Sequence, residues 1–236
     1  MKILVIGGTH GNEPLGPSVV KLFQNKPVEG ATTVLANEQA ILKNKRFIKT
    51  DLNRSFPGDI KSADYETKRA AELKKLCRRF DVVLDFHNTY CPNNDCAFVG
   101  KSAKEIIYKT ASFLKLKRII VADYNCINKY APNCLSVEIS LTSKLNNAEI
   151  WYKKIAALSQ KKELPPSEKV ERYKFVYRIT LEDRDRLNLK RKNLRAFKPI
   201  SPSLAKALRV KNPAYPIFIG DGYTPYNYGG LLNKQN

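Results

Sequence analysis

Apolar and polar residues follow two rhythms in this chain, and the switches between them predict most of its elements. The run Ile3-Leu4-Val5-Ile6 is a compact β-type segment that ends in Gly7-Gly8. A helix then opens at Pro14 and runs through Ser18 to Phe23, since proline suits a first helical turn, where its missing N–H is not needed. Residues 32–36 form a second short strand, followed by Asn37. Across 63–79, Ala70, Leu73, Leu76 and Cys77 recur at helical spacing with charges between them. Further strands are predicted at 81–86, 118–122 and 134–139, with helices over 104–116 and from Asn147 to Leu158. This succession predicts an α/β domain with a mostly parallel central sheet flanked by helices.

The character changes near Pro165-Pro166. Beyond it Tyr173, Phe175, Tyr177 and Ile179 alternate with Lys174, Val176 and Arg178, as in a half-buried strand. Prolines 199, 202, 213, 216 and 225 punctuate the remainder. Residues 1–165 are therefore expected to form the main domain and 166–236 a small β-rich subdomain or lid. No internal repeat or low-complexity tract interrupts either part.

Composition adds limits. A hydrophobic content of 43% in 236 residues, with 10% aromatics, is ample for a core and argues against global disorder. No apolar stretch approaches the roughly 18 residues that a membrane span needs. The N-terminal apolar run is too short for a signal peptide and no small-residue cleavage site closes it. A soluble, cytoplasmic protein is expected. Five cysteines, odd in number and irregularly spaced, read as reduced thiols. Cys91 and Cys96 are the only close pair and lack the second pair that a structural metal site needs. The formal charge of +20 is compatible with anionic substrates, nucleic acid or a merely basic surface.

The chain has two histidines, and both follow apolar runs: His10 in Gly7-Gly8-Thr9-His10-Gly11-Asn12-Glu13, and His87 in Asp85-Phe86-His87-Asn88-Thr89. In open α/β sheets ligands bind at the carboxyl ends of strands. His10 and Glu13 lie just past the first strand, His87 just past another, and Glu138 at or near the end of a third. Two histidines and one carboxylate are a common catalytic Zn²⁺ set, with a fourth position left for water. The glycines at 7, 8 and 11 allow a sharp turn and a close approach to a ligand. A phosphate cradle is disfavoured, because the Gly-Lys-Ser/Thr ending of a P-loop is missing. A glutamate inside the apolar run from Leu135 to Leu141 is costly to bury without a partner, which favours a functional role for Glu138.

These two segments, together with Asp51-Leu52-Asn53-Arg54, resemble the aspartoacylase and succinylglutamate desuccinylase family of zinc amidohydrolases, relatives of the zinc carboxypeptidases. The resemblance keeps the same order through the first ~140 residues. It extends more loosely to Ala214-Tyr215-Pro216-Ile217-Phe218-Ile219. It implies a zinc-carboxypeptidase-like fold in 1–165 and one Zn²⁺ per chain held by His10, Glu13 and His87. It also implies Asn53 and Arg54 as the grip on the substrate's α-carboxylate, Arg46 as the group polarising the scissile carbonyl, and Glu138 as the general base. Asp51 and Asp85 are candidates for orienting the ligands or Arg54. The implied substrate is a small anionic N-acyl amino acid resembling N-acetyl-aspartate or N-succinylglutamate.

The sequence also departs from the family. Ile139-Ser140-Leu141 replaces the usual Val-Gly-Pro after the base glutamate. The aspartoacylase branch carries an arginine shortly before that glutamate for the substrate's side-chain carboxylate; residues 124–137 contain none, leaving Lys129 or Tyr130 as substitutes. Tyr223 falls near the family's substrate-contacting tyrosine, with Tyr226 and Tyr228 as alternatives. Two other functions are open to this sequence. A zinc carboxypeptidase or peptide amidase would use the same ligands. A nucleic-acid-binding protein would use residues 184–198, where seven basic residues accompany one acid, but no RNP, KH or helix-turn-helix signature supports it.

Overall fold

The computed structural model describes residues 1–167, 170–220 and 227–235. The first half alternates as its rhythm predicts: β1 (Ile3–Gly7), α1 (Leu15–Asn25), β2 (Ala31–Leu35), α2 (Glu38–Leu42), a 3-10 turn (Leu52–Arg54), α3 (Tyr65–Cys77) and β3 (Val82–Thr89). There follow β4 (Cys96–Gly100), α4 (Glu105–Phe113), β5 (Arg118–Ala122), α5 (Ile127–Tyr130), β6 (Cys134–Ser140) and α6 (Ala148–Ser159). The remainder holds β7 (Glu171–Thr180), α7 (Leu181–Arg186), α8 (Pro202–Ala207), β8 (Tyr215–Ile217) and β9 (Asn227–Gln235).

The strands form one sheet in the order β2-β1-β3-β6-β4-β5-β7-β9-β8. Pairings β1–β2, β1–β3, β3–β6, β4–β5 and β5–β7 are parallel; β4–β6, β7–β9 and β8–β9 are antiparallel. The β-rich character expected after residue 165 is present, and its strands extend the central sheet through β5–β7 hydrogen bonding. The centre of the sheet is covered on both faces, which is why β1, β3 and β4 are buried along their whole length. One face carries Ile3, Val5, Leu84, Phe86, Leu135 and Val137 against α1 and α6, and Trp151 of α6 meets Phe86 edge-on at 5.1 Å. On the other face, Leu4, Ile6 and Val83 pack against Leu73 and Cys77 of α3. All five cysteines are buried thiols outside any disulfide among the described residues. Burial pushes the Cys77 thiol up to about 12 and raises those of Cys96, Cys126 and Cys134.

Three differences from the sequence reading bear on the site. First, β3 continues through His87 to Thr89, because β6 pairs with it residue by residue, His87 opposite Glu138 and Thr89 opposite Ser140. His87 therefore projects from a strand backbone, a stiffer support than the loop its sequence position suggests. Second, β4 had no counterpart in the predicted elements: five residues with a central Ala97-Phe98-Val99 run are too short to show a period, and pairing with β5 and β6 makes them a strand. Third, the β7–β9 ladder slips register between Phe175 and Tyr177.

Candidate active site

The loop after β1 is shaped by close backbone approaches. Gly8 adopts φ +72°, and a Cβ on Gly11 would fall 2.1 Å from the Ala40 carbonyl carbon of α2. Folded down in this way, the loop turns His10 and Glu13 towards β3. Leu15 donates its N–H to Asn88 Oδ1 at 2.9 Å, and Asn88 N donates to Glu13 Oε2 at 3.1 Å, so the start of α1 is tied to the end of β3.

His10, Glu13 and His87 meet there, each no more than 3% exposed. His10 Nδ1 lies 2.7 Å from Glu13 Oε1, His87 Nδ1 3.0 Å from Glu13 Oε2, and the two Nδ1 atoms are 3.2 Å apart. The opposite nitrogens face carboxylates: His87 Nε2 is 2.8 Å from Asp85 Oδ2, and His10 Nε2 is 3.2 Å from Asp51 Oδ1. A carboxylate on Nε2 holds the proton on that nitrogen and turns the Nδ1 lone pair inward. With each ring's proton on Nε2, two lone pairs and a carboxylate converge, a donor set that suits a divalent cation. Tetrahedral zinc with bonds near 2.1 Å spaces its ligand atoms about 3.4 Å apart; the two Nδ1 atoms, at 3.2 Å, come near that spacing, and the Glu13 oxygens lie somewhat closer to them, at 2.7 and 3.0 Å. The residues present fit such an ion.

The electrostatics agree. Burial by itself would raise the carboxyl pKa of Glu13, yet the charges and hydrogen bonds of His10 and His87 hold it far below the usual range. Burial likewise works against the charged form of Asp85, and His87 and the Thr9 hydroxyl, 2.7 Å from Asp85 Oδ1, bring its pKa down. Burial would lower the His87 pKa, but Asp85 and Glu13 on either side raise it well above the ordinary value. Without a metal this cluster retains a proton; a divalent cation would displace it.

Arg46 approaches from the segment after α2. It places Nη1 3.3 Å from Glu13 Oε1 and Nε 3.3 Å from Asp51 Oδ2. Its segment is pinned by Glu66 of α3, a fully buried carboxylate that accepts from the N–H groups of Ile48 at 2.7 Å and Lys49 at 3.4 Å. Asp51 caps the 3-10 turn by accepting from Asn53 N at 2.9 Å. Burial works against its charged form, and the hydrogen bond with His10, together with the nearby Arg46 and Arg54 guanidinium groups, brings its pKa below the usual carboxylate range.

Arg46, Asn53, Arg54 and Glu138 open onto the same cavity of about 170 Å³ as His10, Glu13 and His87. Seven of the eight residues picked from the sequence are thus brought together. The eighth, Tyr223, lies outside the described residues, as does Tyr226; Tyr228 is described and stands off the cavity, its ring 5.8 Å from the Arg184 guanidinium. Lys129 and Tyr130 are not in the cavity wall either: Tyr130 donates to Asn125 Oδ1, and Lys129 sits 6.0 Å from the Tyr130 ring. Phe98, Tyr124, Phe175, Arg178 and Phe218, which the sequence reading did not single out for the site, also line it, with Phe98 and Phe218 stacked at 5.9 Å and the Arg54 guanidinium 4.6 Å over the Tyr124 ring.

Residues 1–146 match the family described as the succinylglutamate desuccinylase/aspartoacylase catalytic domain. The chain belongs to that family. Among its relatives is the N-acyl-aromatic-L-amino acid amidohydrolase (carboxylate-forming) of Rattus norvegicus, 34% identical over 135 residues, which are 50% of this chain and 42% of the rat protein. A probable aspartoacylase of Trichodesmium erythraeum is 32% identical over 147 residues, 56% of this chain and 50% of that one. The matches therefore span half or less of those relatives' lengths. Solved structures extend the likeness of fold over the whole chain. Succinylglutamate desuccinylase from Chromobacterium violaceum aligns with a TM-score of 0.77 at 16% identity, covering 100% of this chain and 85% of that one. Murine aminoacylase 3 aligns with a TM-score of 0.72 at 21% identity, covering 100% and 95%. The matched segment supplies His10, Glu13, Arg46, Asn53, Arg54, His87 and Glu138 of the cavity. No helix among the described residues is long and apolar enough to cross a membrane.

Proposed function

We propose that this chain is a zinc-dependent amidohydrolase that cleaves the amide of a small N-acyl amino acid, giving a carboxylate and the free amino acid. The observation that carries this reading is the convergence of two Nδ1 lone pairs and Glu13 on one point, each imidazole backed by its own carboxylate, beside Glu138 and two arginines. One zinc ion held by His10, Glu13 and His87 would supply Lewis acidity towards the amide carbonyl and would lower the pKa of a bound water towards ~7.

The chain's own groups do the rest. Arg54, with its planar fork, and Asn53 hold the substrate's α-carboxylate and set the scissile bond against the metal site. Glu138 accepts the proton of the attacking water and delivers it to the amide nitrogen, which departs as the free amine when the C–N bond breaks. Arg46 donates to the carbonyl oxygen as negative charge gathers on it. Strands β7 and β9 close one side of the cavity, through Phe175, Arg178 and Gly230, and favour small acyl amino acids over long peptides.

The relatives' names point to two substrate types. N-acetyl-aspartate- and N-succinylglutamate-like compounds suit the basic side of the cavity. Its Phe98, Tyr124, Phe175 and Phe218 walls favour an aromatic side chain as the second reading. Zinc-loaded protein assayed for free-amine release should turn over N-acyl amino acids and leave dipeptides largely uncleaved. Turnover confined to peptides would make it a carboxypeptidase instead.

A further inference from the structure

A regular strand places residues three apart on opposite faces, so Phe175 and Arg178 should point away from each other. They line the same cavity. The cause is the irregularity in β7. Phe175 pairs with Leu232 and Tyr177 with Leu231, so two steps along β7 match one step along β9, and Val176 is the additional residue, 38% exposed. The side chains confirm the change of face. Phe175 packs with Leu232 and Ile217, whereas Tyr177 packs with Leu231 and Ile219 in a different cluster. Arg178, one residue further, returns to the face of Phe175. It pairs with Gly230, which in turn pairs with Ile217.

Gly230 keeps this corner open. A Cβ there would lie 2.5 Å from the Phe175 ring, so a glycine is required for that ring to lie across β9, and no side chain stands opposite Arg178. Among the described residues Arg178 has neither an ion pair nor a hydrogen bond to its guanidinium, unlike the other two arginines of the cavity. Arg46 is paired with Glu13 and Asp51, and Arg54 rests on Tyr124 with Nη1 3.1 Å from Asn53 O. Among the described residues of the cavity wall, three arginines face two glutamates before any metal is counted.

We infer that Arg178 is a specificity-determining residue that binds a second carboxylate of the substrate, so that the preferred substrate is an N-acyl amino acid with two carboxylates. The inference rests on the proposed N-acyl amino acid site. It also places the second anion-binding group on β7, remote in sequence from residues 124–137, where neither Lys129 nor Tyr130 reaches the cavity. The aromatic walls would then contact the carbon chain between the two carboxylates.

Binding can be read without turnover. Zinc-loaded Glu138→Gln protein is titrated calorimetrically with N-acetyl-L-aspartate, N-acetyl-L-alanine and N-acetyl-L-phenylalanine, with and without Arg178→Met. The dicarboxylate should bind the Glu138→Gln protein about 10- to 100-fold more tightly than the alanine derivative, the usual effect of one charged hydrogen-bond partner. Arg178→Met should remove that preference while changing monocarboxylate affinity little, and Arg178→Lys should restore part of it. Equal affinities in the parent protein, tighter binding of the phenylalanine derivative, or a preference that survives Arg178→Met would each overturn the inference. A preference that depends on Arg178 in a protein with wild-type Glu138 that hydrolyses none of these compounds would sustain the carboxylate site and refute the hydrolase reading alone.

Discussion

Glu138→Gln is expected to lower kcat by about 10²- to 10⁴-fold, the usual contribution of a positioned proton acceptor, while KM changes little. The prediction follows from the division of labour among the carboxylates. Glu13 faces both imidazoles, Asp85 backs His87, and Asp51 is held by His10 and Arg46. Glu138 lies directly across the β3–β6 ladder from His87 and lines the same cavity. Glutamine keeps the volume and the strand but cannot accept the water's proton. Steady-state kinetics on an N-acyl amino acid, alongside zinc content, would check it. A variant that keeps its metal and its kcat would remove Glu138 from the reaction.

Arg46→Met is expected to cost about 10²- to 10³-fold in kcat, in the range of losing one donor to a developing oxyanion. Here the guanidinium is placed in advance: its two ion pairs with Glu13 and Asp51 fix the side chain, and Glu66 fixes the backbone that carries it. Groups fixed before the reaction need little reorganisation as charge develops, which is why the effect should fall on kcat. Arg46→Lys retains the charge but loses the planar fork, so an intermediate rate is expected. Unchanged kcat in Arg46→Met with a raised KM would mean that Arg46 only binds the ground state.

Glu138 was legible from the sequence on physical grounds, whereas Arg46 was named by the family resemblance. His10 and Glu13 sit in a short turn that its glycines mark within a few residues, whereas Asn53 and Arg54 were named by the resemblance and lie in a 3-10 turn capped by Asp51. His87 and Glu138 interrupt apolar runs that otherwise have no use for a charge. What escaped notice was set by pairing between distant strands. β4 is a strand because β5 and β6 flank it, and the His10–Asp51 and His87–Asp85 contacts depend on how the turns fold over the sheet. Arg178 is the clearest instance. The alternation of Tyr173, Phe175, Tyr177 and Ile179 assigns it to the outer face, and one additional residue at Val176 returns it to the cavity. Nothing in the sequence of β7 marks that residue, because the bulge is a property of the β7–β9 ladder. The aromatic wall is similarly silent, since Phe98, Tyr124, Phe175 and Phe218 come from four separate segments.

The zinc content of the purified protein bears on all of this. After equilibration with zinc and removal of the excess, the wild-type chain should carry one zinc ion per chain by elemental analysis. His87→Ala, checked for an unchanged circular dichroism spectrum, should carry almost none, because a ligand and its Asp85 support are lost together. A wild-type chain that retains no metal, or a folded His87→Ala protein that retains as much as wild type, would mean that His10, Glu13 and His87 do not form a metal centre.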